Sequence, residues 1–233
     1  MGQFREALTD ADREWIQRQK VIFLATAPRG GGGHVNASPK GYDTLRVLGD
    51  RRIVMLDGRG SGCETIAHLR ENGRITIMLC AFEGPPRIMR LFGRGTVHEP
   101  GSPGFDELFK AHFAADWRDA DRFKLVRSII DVQVELVGQS CGFGVPLLEY
   151  KEDRPTLVNY AKSKSTAELA QKRTRDNTLS IDGIPSLLDG TDPGAALLRR
   201  RAAAAADAML PWIGGAALGI ALALGATRCL ASK

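Results

Sequence analysis

Apolar residues fall into short stretches along the first 140 positions, and several of these stretches alternate with polar residues. Alternation at every second position is typical of a half-buried β-strand, and a short continuous apolar run is typical of a buried one. These patterns predict strands at residues 21–27, 34–41, 44–48, 52–57, 74–82, 87–97 and 127–137. The connections are mostly short and helices are inserted singly. This order favours a mainly β (α+β) fold, an antiparallel barrel with peripheral helices, over a doubly wound parallel sheet.

Helical patterns occupy residues 9–19, 61–72, 103–113 and 156–176. Thr9 or Asp10 can cap the first of these helices. Ser61 and Glu64 precede the second with the S-x-x-E spacing of a capping box. Asn72-Gly73 is a typical helix stop, so we expect this helix to end there.

Composition indicates a globular protein, with 43% hydrophobic and 25% charged residues. The net charge of +5 suits a phosphate-bearing ligand or an anionic surface, but it is too small to indicate nucleic acid by itself, and we predict no nucleic-acid partner. The four cysteines form no CxxC pair, and the four histidines have neither metal-ligand nor catalytic-triad spacing. We therefore expect free thiols and no metal site.

An uncharged, Ala- and Gly-rich stretch occupies residues 210–227 and follows three arginines, Arg199–Arg201. As a helix it is long enough to cross most of a bilayer core. A buried or disordered tail is the alternative. The sequence thus predicts a C-terminal hydrophobic helix that anchors the chain in a membrane, with the main domain on the cytosolic side. The predicted parts are a main domain at 1–187, a linker at 188–208 and a transmembrane tail helix at 209–230.

The stretch "VNASPKG" places three polar residues, Asn36, Ser38 and Lys40, on one face of a predicted strand. If that face points inward, the amide, hydroxyl and ammonium groups need partners or a ligand. The alternative is a polar stripe that faces solvent.

A second candidate site is the glycine-rich turn "DGRGSGCET" before the second helix. Free N–H groups and the positive dipole end of a helix N-terminus can bind an anion, and Ser61 and Thr65 can add hydroxyls. A capping box alone is the alternative explanation.

Two further stretches carry groups that suit a flat or phosphorylated ligand. Arg87, Arg90 and Arg94 are arginines of the kind that bind phosphates and flat rings, although an exposed edge strand would carry them equally well. The loop with Cys141 and Phe143 can close over a ring system, with Cys141 either reactive or inert.

In their order along the chain, these motifs resemble the pyridoxamine 5′-phosphate oxidase-like family of FMN-binding split barrels. The resemblance covers roughly residues 10–188 and rests on "VNASPKG", "VMLDGRGSGCETIAHLRENGRITIML", "EGPPRIMRLFGRG", "SCGFGVP" and "SIDGIPSL". It implies a six-stranded antiparallel split β-barrel, a homodimer, and one flavin site at each end of the dimer interface.

The family's phosphate and ring contacts map onto particular positions of this sequence. The resemblance implies that Arg87 and Arg90 lie near the flavin ring or ribityl chain. It implies cofactor contacts from Val35, Asn36, Ser38, Lys40, Ser61, Gly62 and Thr65.

Three features depart from true pyridoxamine phosphate oxidases. "SGCET" stands where those enzymes carry an Arg-Lys pair, Ile88 stands where they place a Gln, and their Arg-Leu-His segment does not occur in the sequence. The sequence therefore predicts a flavin (FMN)-dependent oxidoreductase of unknown substrate rather than an oxidase of vitamin B6.

Other functions stay open. Family members also use the deazaflavin F420 or bind haem, so both are alternative cofactors. A non-catalytic flavin- or haem-binding module at a membrane is the main alternative function, and a cofactor-free structural dimer is another. No residue is singled out as a catalytic acid or base.

Overall fold

The computed structural model describes residues 2–187, and their strands join one antiparallel sheet. The strand order is β3-β2-β6-β7-β8-β5-β4, with β1 paired to β8 off this path. The mainly β, antiparallel prediction is confirmed, but the sheet is a half-barrel of eight strands rather than six. These strands are β1 (Gln3–Arg5), β2 (Ile22–Thr26), β3 (Asn36–Lys40), β4 (Leu45–Val47), β5 (Arg52–Gly58), β6 (Arg74–Cys80), β7 (Ile88–His98) and β8 (Val126–Ser140).

The strand that the pattern missed is β1. Its three residues pair with Val137–Gln139 of β8. Gln3 and Arg5 give no apolar signal, so a long-range pairing, and not local propensity, makes this segment a strand.

Seven helices surround the sheet in the described residues. Thr9 caps the first of them through a capping box with Asp12, as its position predicts. The second ends at Gly73, whose φ of +73° is the left-handed conformation that favours glycine. The helices are α1 (Asp10–Arg18), α2 (Glu64–Asn72), α3 (Pro103–His112), α4 (Ala114–Trp117), α5 (Ala120–Phe123), α6 (Thr156–Lys162) and α7 (Thr166–Asn177).

The core lies on both sides of the central strands. Leu24, Ile77 and Leu91 form one fully buried row across β2, β6 and β7. On the other side, Phe105 of α3 and Trp117 of α4 pack in a second cluster against β5 and β8. Because β5 is covered on both faces, its residues 53–56 are continuously apolar, whereas β8 is continuously buried only over its first five residues and alternates beyond them.

A bulge interrupts the pairing of β7 with β8, where Glu135 of β8 is the extra residue opposite the step from Phe92 to Gly93. A Cβ at Gly93 would overlap the carbonyl oxygen of Gln133, so the close approach of the two backbones requires glycine here. A bulge bends its strand and increases the local twist, which helps this long ribbon to curve into a half-barrel.

Asp12 ties α1 to the sheet. Its buried carboxylate accepts hydrogen bonds from Arg5 of β1 and from Arg87, the residue before β7. The Arg87 guanidinium also lies over the ring of Trp15, 4.6 Å from its centroid. Burial alone would raise the pKa of Asp12, but hydrogen bonds from Thr9, Arg5 and Arg87 lower it to about 2.

The charged stretch after β8 forms α6 and α7, as its pattern predicts, and Ser165 and Glu168 make a capping box at the start of α7. Within residues 2–187, the structure contains no helix that combines the length and the apolar character needed to cross a membrane. The predicted linker at 188–208 and tail helix at 209–230 lie outside the described residues, so membrane anchoring stays a prediction.

We expect Asp12→Asn to remove a pH-dependent part of the stability. The pKa of Asp12 is about 2 in the fold, against an ordinary 3.8. Its ionised carboxylate therefore stabilises the protein fully above about pH 5, and this stabilisation is lost as the pH falls through 2. The shift corresponds to about 2 kcal/mol. Urea unfolding between about pH 5 and pH 2 should show a shallower loss of unfolding free energy for the variant than for the wild type.

Asp10→Asn is the matched control, because the Asp10 side chain is 83% exposed. It should follow the wild-type pH dependence. Equal slopes for all three proteins would contradict the role of Asp12.

Candidate functional site

The polar side chains of β3 lie on the core side of the sheet, at its edge. Asn36, Ser38 and Lys40 are half-buried, and residues paired across strands share a face. The three residues therefore share one inward face, and the structure does not show a solvent-facing stripe. Val35 lies just before the strand and is 75% exposed. The register with buried residues of β2 is Asn36 with Thr26, Ser38 with Leu24, and Lys40 with Ile22.

Asn36 is the centre of a hydrogen-bond network. Its amide nitrogen donates to the hydroxyls of Thr26 at 3.2 Å and Thr65 at 3.0 Å. Its amide oxygen accepts from the hydroxyl of Ser38 at 2.8 Å. The Thr26 hydroxyl also lies 3.0 Å from Nδ1 of His68. The network joins β2, β3 and α2, and it brings together three of the predicted site residues: Asn36, Ser38 and Thr65.

His68 is a member of the network that sequence reasoning left without a role. Its side chain is fully buried, and within residues 2–187 its Nε2 has no hydrogen-bond partner. Burial lowers its pKa, against the opposite effect of Asp182, Glu71 and Glu64, so the imidazole is neutral at pH 7. Its place on the apolar side of α2 is the signal that could have identified it.

Lys40 approaches a buried ion pair that sequence reasoning missed. Asp57 and Arg127 are almost completely buried and form this pair, with 2.8 Å between Oδ2 and Nη2. The Lys40 ammonium lies 3.5 Å from the other carboxylate oxygen of Asp57. Arg127 also donates from Nη1 to the Gly62 carbonyl at 2.6 Å. The buried pair thus connects β3, β5, β8 and the turn before α2.

All three groups of this cluster carry charge. Burial would raise the pKa of Asp57, but Arg127 and Lys40 lower it below its ordinary value. Burial is the largest single effect on Arg127 and lowers its pKa, but the charge and the hydrogen bond of Asp57, together with Cys63 and Glu64, raise the pKa overall. The formal charges of Asp57, Arg127 and Lys40 sum to +1, so the cluster can accept an anion. Arg127 is a charged residue inside the mostly apolar, buried stretch 125–130, and this contrast is the sequence feature that could have identified it.

The helix α2 begins without a side-chain cap. Glu64 is its first residue, and the side chain of Cys63 at the N-cap makes no capping hydrogen bond. Glu64 is therefore at N1 rather than N3, and the predicted Ser61–Glu64 capping box is wrong. Ser61 is exposed and Gly62 is half-buried. A capping box therefore does not explain the sequence of this turn. The positive dipole end of the α2 N-terminus has no side-chain cap and can attract an anion.

Arg87 and Arg90 have their partners elsewhere. Arg87 binds Asp12 and donates to Oε1 of Gln139 at 2.9 Å. Arg90, on β7, lies 3.4 Å from the hydroxyl of Ser140. The structure therefore joins neither arginine to the Asn36 network through these contacts.

The chain is an antiparallel half-barrel β-protein with a polar, net cationic cluster beside a helix N-terminus that lacks a side-chain cap, and this chemistry is suited to an anion. A family model described as pyridoxamine 5′-phosphate oxidase matches residues 8–141, so the chain belongs to that family. The chain is also 39% identical over 199 residues to UstO, a pyridoxamine 5′-phosphate oxidase family protein of Aspergillus flavus, with coverage of 79% of this chain and 77% of the relative.

Solved structures also resemble the chain. HupZ of Group A Streptococcus, in an H111A variant, has a TM-score of 0.42 and 17% identity, over 57% of this chain and 98% of the other. An FMN-binding protein of Syntrophomonas wolfei has a TM-score of 0.39 and 16% identity, over 59% and 84%.

We expect Arg127→Met to be strongly destabilising, because it leaves the Asp57 carboxylate buried without its main partner. Breaking a buried pair in this way costs roughly 3–5 kcal/mol. Urea unfolding should show this loss. The double variant Asp57→Asn/Arg127→Met should recover part of it, because it also removes the stranded charge.

Arg52→Met is the matched control on the same pair of strands. Arg52 pairs with Asp131, but its side chain is 49% exposed. Its loss should stay below about 1 kcal/mol. A loss of that small size for Arg127→Met would show that the buried pair does not stabilise the fold.

Proposed function

We propose that this chain binds FMN as a homodimer and works as a flavin-dependent oxidoreductase. The observation that carries the proposal is the convergence of the Lys40 ammonium, the Asn36 network and the uncapped α2 N-terminus at one edge of the sheet. These elements supply the cation, the hydrogen-bond donors and the positive dipole end that a phosphate monoester requires.

The residues at this edge fit the phosphate of FMN. In the proposal, Lys40 supplies charge, and the turn at Ser61 and Gly62 supplies backbone N–H groups. Ser38 and Thr65 supply hydroxyls, and their present partners within the network hold them in place. Each of these groups binds and orients the ligand, and none of them needs to change its protonation state.

The flavin ring belongs at the more open side of the same edge. Val35 is exposed beside Asn36 and offers an apolar surface for a ring face. For Arg90, contact with the ring or the ribityl chain stays a prediction. Arg87 is engaged by Asp12, so the same prediction for Arg87 requires it to serve two partners.

FMN, when bound, supplies hydride and electron-transfer chemistry, and the protein contributes binding and orientation. The oxidoreductase activity rests on family membership, and the substrate is unknown. The alternative is a binding module that holds its cofactor without turnover. Addition of NADH or NADPH to the flavin-loaded protein under air separates the two: repeated flavin reduction and reoxidation supports the enzyme, and a persistently oxidised flavin supports the module.

An exposed apolar patch supports the homodimer. It consists of Phe4 of β1, which is 68% exposed, and Leu136 of β8, with the half-buried Phe92 of β7 beside them. Phe143 and Leu147, in the loop after β8, are 81% and 77% exposed. Exposed apolar groups of this number mark an interface, and the family resemblance points to a second copy of the chain as the partner.

We expect Lys40→Ala to weaken FMN binding roughly tenfold to a hundredfold, because it removes a charge-assisted contact of about 1.5–3 kcal/mol. Titration of the full chain with FMN, followed by flavin fluorescence, measures the Kd. F420 and haem are titrated in parallel.

Lys110→Ala, at an exposed position on α3, should leave the Kd unchanged. An unchanged Kd for Lys40→Ala would remove Lys40 from the site. If the wild type binds F420 or haem and not FMN, the cofactor proposal is wrong, and if it binds none of the three, the flavin proposal fails as a whole.

We expect the wild type to be a dimer in solution, and Phe4→Asp/Leu136→Asp to be a monomer, because two carboxylates in the patch oppose its burial. Size-exclusion chromatography with light scattering measures the mass. Tyr160→Asp, at an exposed position on α6, should stay dimeric. A monomeric wild type would rule out the dimer, and a dimeric double variant would place the interface elsewhere.

A further inference from the structure

The segment 177–187 begins at the last residue of α7 and folds back onto the turn before α2; we refer to it as the strap. A bridge between Leu179 and Pro185 closes it into a tight loop, and Gly183 takes a φ of +75° at the tip. Ser180 and Ser186 are fully buried. Buried polar groups are nearly always hydrogen-bonded, so we expect this segment to have specific hydrogen-bond partners.

The main partners of the strap are atoms of the turn. The Asn177 side-chain nitrogen donates to the Gly60 carbonyl at 3.1 Å. The Ser186 hydroxyl donates to the Cys63 carbonyl at 3.4 Å. At the tip of the strap, the Ile181 N–H donates to the Glu64 carboxylate at 3.2 Å.

A second contact holds the tip of the strap beside β3. The Asp182 carboxylate accepts from the backbone N–H of His34 at 2.9 Å and lies 2.7 Å from its Nδ1. The strap therefore spans the two chain segments that border the proposed phosphate site.

Hydrogen bonds to the carbonyls of this turn also orient its N–H groups. In a planar trans peptide, the carbonyl of one residue and the N–H of the next point in opposite directions. Asn177 fixes the Gly60 carbonyl, and this sets the direction of the Ser61 N–H. The Cys63 carbonyl accepts from the Ala67 N–H of α2, and Ser186 adds a second bond that supports the direction of the Glu64 N–H, while Arg127 fixes the peptide between Gly62 and Cys63 from the opposite side.

We propose that the strap is the element that positions the phosphate-binding turn, with Asn177 and Ser186 as its positioning residues. The inference rests on the proposed flavin site and adds that the strap acts on the phosphate of the ligand and not on its ring. The strap contains the "SIDGIPSL" stretch of the resemblance, but it lies outside residues 8–141, which the family model matches.

Comparison of FMN with riboflavin, which has the same ring and no phosphate, tests the proposal in the full chain. In Asn177→Ala/Ser186→Ala the Kd for FMN should rise at least fivefold, while the Kd for riboflavin stays within a factor of two. Ser186→Thr keeps the hydroxyl and should bind FMN like the wild type. Thr178→Ala is the matched control: Thr178 is a buried strap residue whose hydroxyl donates to Thr174 within α7, and its loss should leave both Kd values unchanged.

Hydrogen exchange supplies a readout that needs no flavin. The amides of Arg59 and Ala67, whose hydrogen bonds to the carbonyls of Leu125 and Cys63 border the turn, should exchange at least tenfold faster in the double variant and at the wild-type rate in Thr178→Ala. If the double variant does not fold, Ser186→Ala alone is measured in the same way, with a smaller increase expected.

The outcomes separate the two proposals. Equal weakening of FMN and riboflavin, or unchanged binding of both, would overturn the positioning role of the strap. A wild type that binds no flavin would end the flavin proposal, and the exchange rates would then decide the strap alone: unchanged rates in the variants would overturn it.

Discussion

The Asp57 carboxylate has no exposed surface, and it lies where the two ends of the sheet meet. In strand order, β3 and β5 are separated by β2, β6, β7 and β8, yet Lys40 of β3 and Arg127 of β8 both approach this carboxylate. A buried carboxylate without a cation costs several kcal/mol, and Arg127 on the neighbouring strand removes most of that cost. The curvature of the sheet brings Lys40 to the second oxygen of the same carboxylate, so this contact connects the shape of the half-barrel with the position of the candidate site.

A buried ion pair adds little net stability compared with well-packed apolar residues, and its value here lies in geometry. Arg127 uses its remaining nitrogen to hold the Gly62 carbonyl, so the position of the pair determines the position of the turn. The strap holds the same turn from the other side through Gly60 and Cys63. Three tertiary contacts therefore hold the turn, together with the first helical bond of α2 from Ala67 to Cys63.

The sequence predicted seven of the eight strands, because alternation and apolar runs are local signals of burial. It also predicted the α1 cap and the stop of α2 at Gly73, which depend on neighbouring residues alone. The predicted Ser61–Glu64 capping box was wrong, although the spacing of the two residues matches the motif. Tertiary contacts hold the turn and place the start of α2 at Glu64, so the local spacing does not decide where the helix begins.

The candidate site was predictable in part. Asn36, Ser38 and Lys40 followed from strand periodicity, but their partners Asp57, Arg127 and His68 lie far away in sequence. A pattern of single residues does not show which distant side chain neutralises a buried charge. Arg87 shows the opposite error. As an arginine it was predicted to contact the ligand, but in the structure it binds the buried carboxylate of Asp12.

The cations of the cluster are unequal in what they offer to a ligand. Arg127 is 3% exposed and already bound to Asp57 and Gly62, while the Lys40 side chain keeps 24% of its surface exposed. True pyridoxamine phosphate oxidases carry an Arg-Lys pair in the turn where this chain has "SGCET". An anion here therefore depends on one ammonium and on the direction of backbone N–H groups. Point charges act at a distance and tolerate displacement, whereas hydrogen bonds weaken steeply with angle. A site built in this way needs a rigid turn, and the contacts from Arg127 on one side and the strap on the other provide that rigidity.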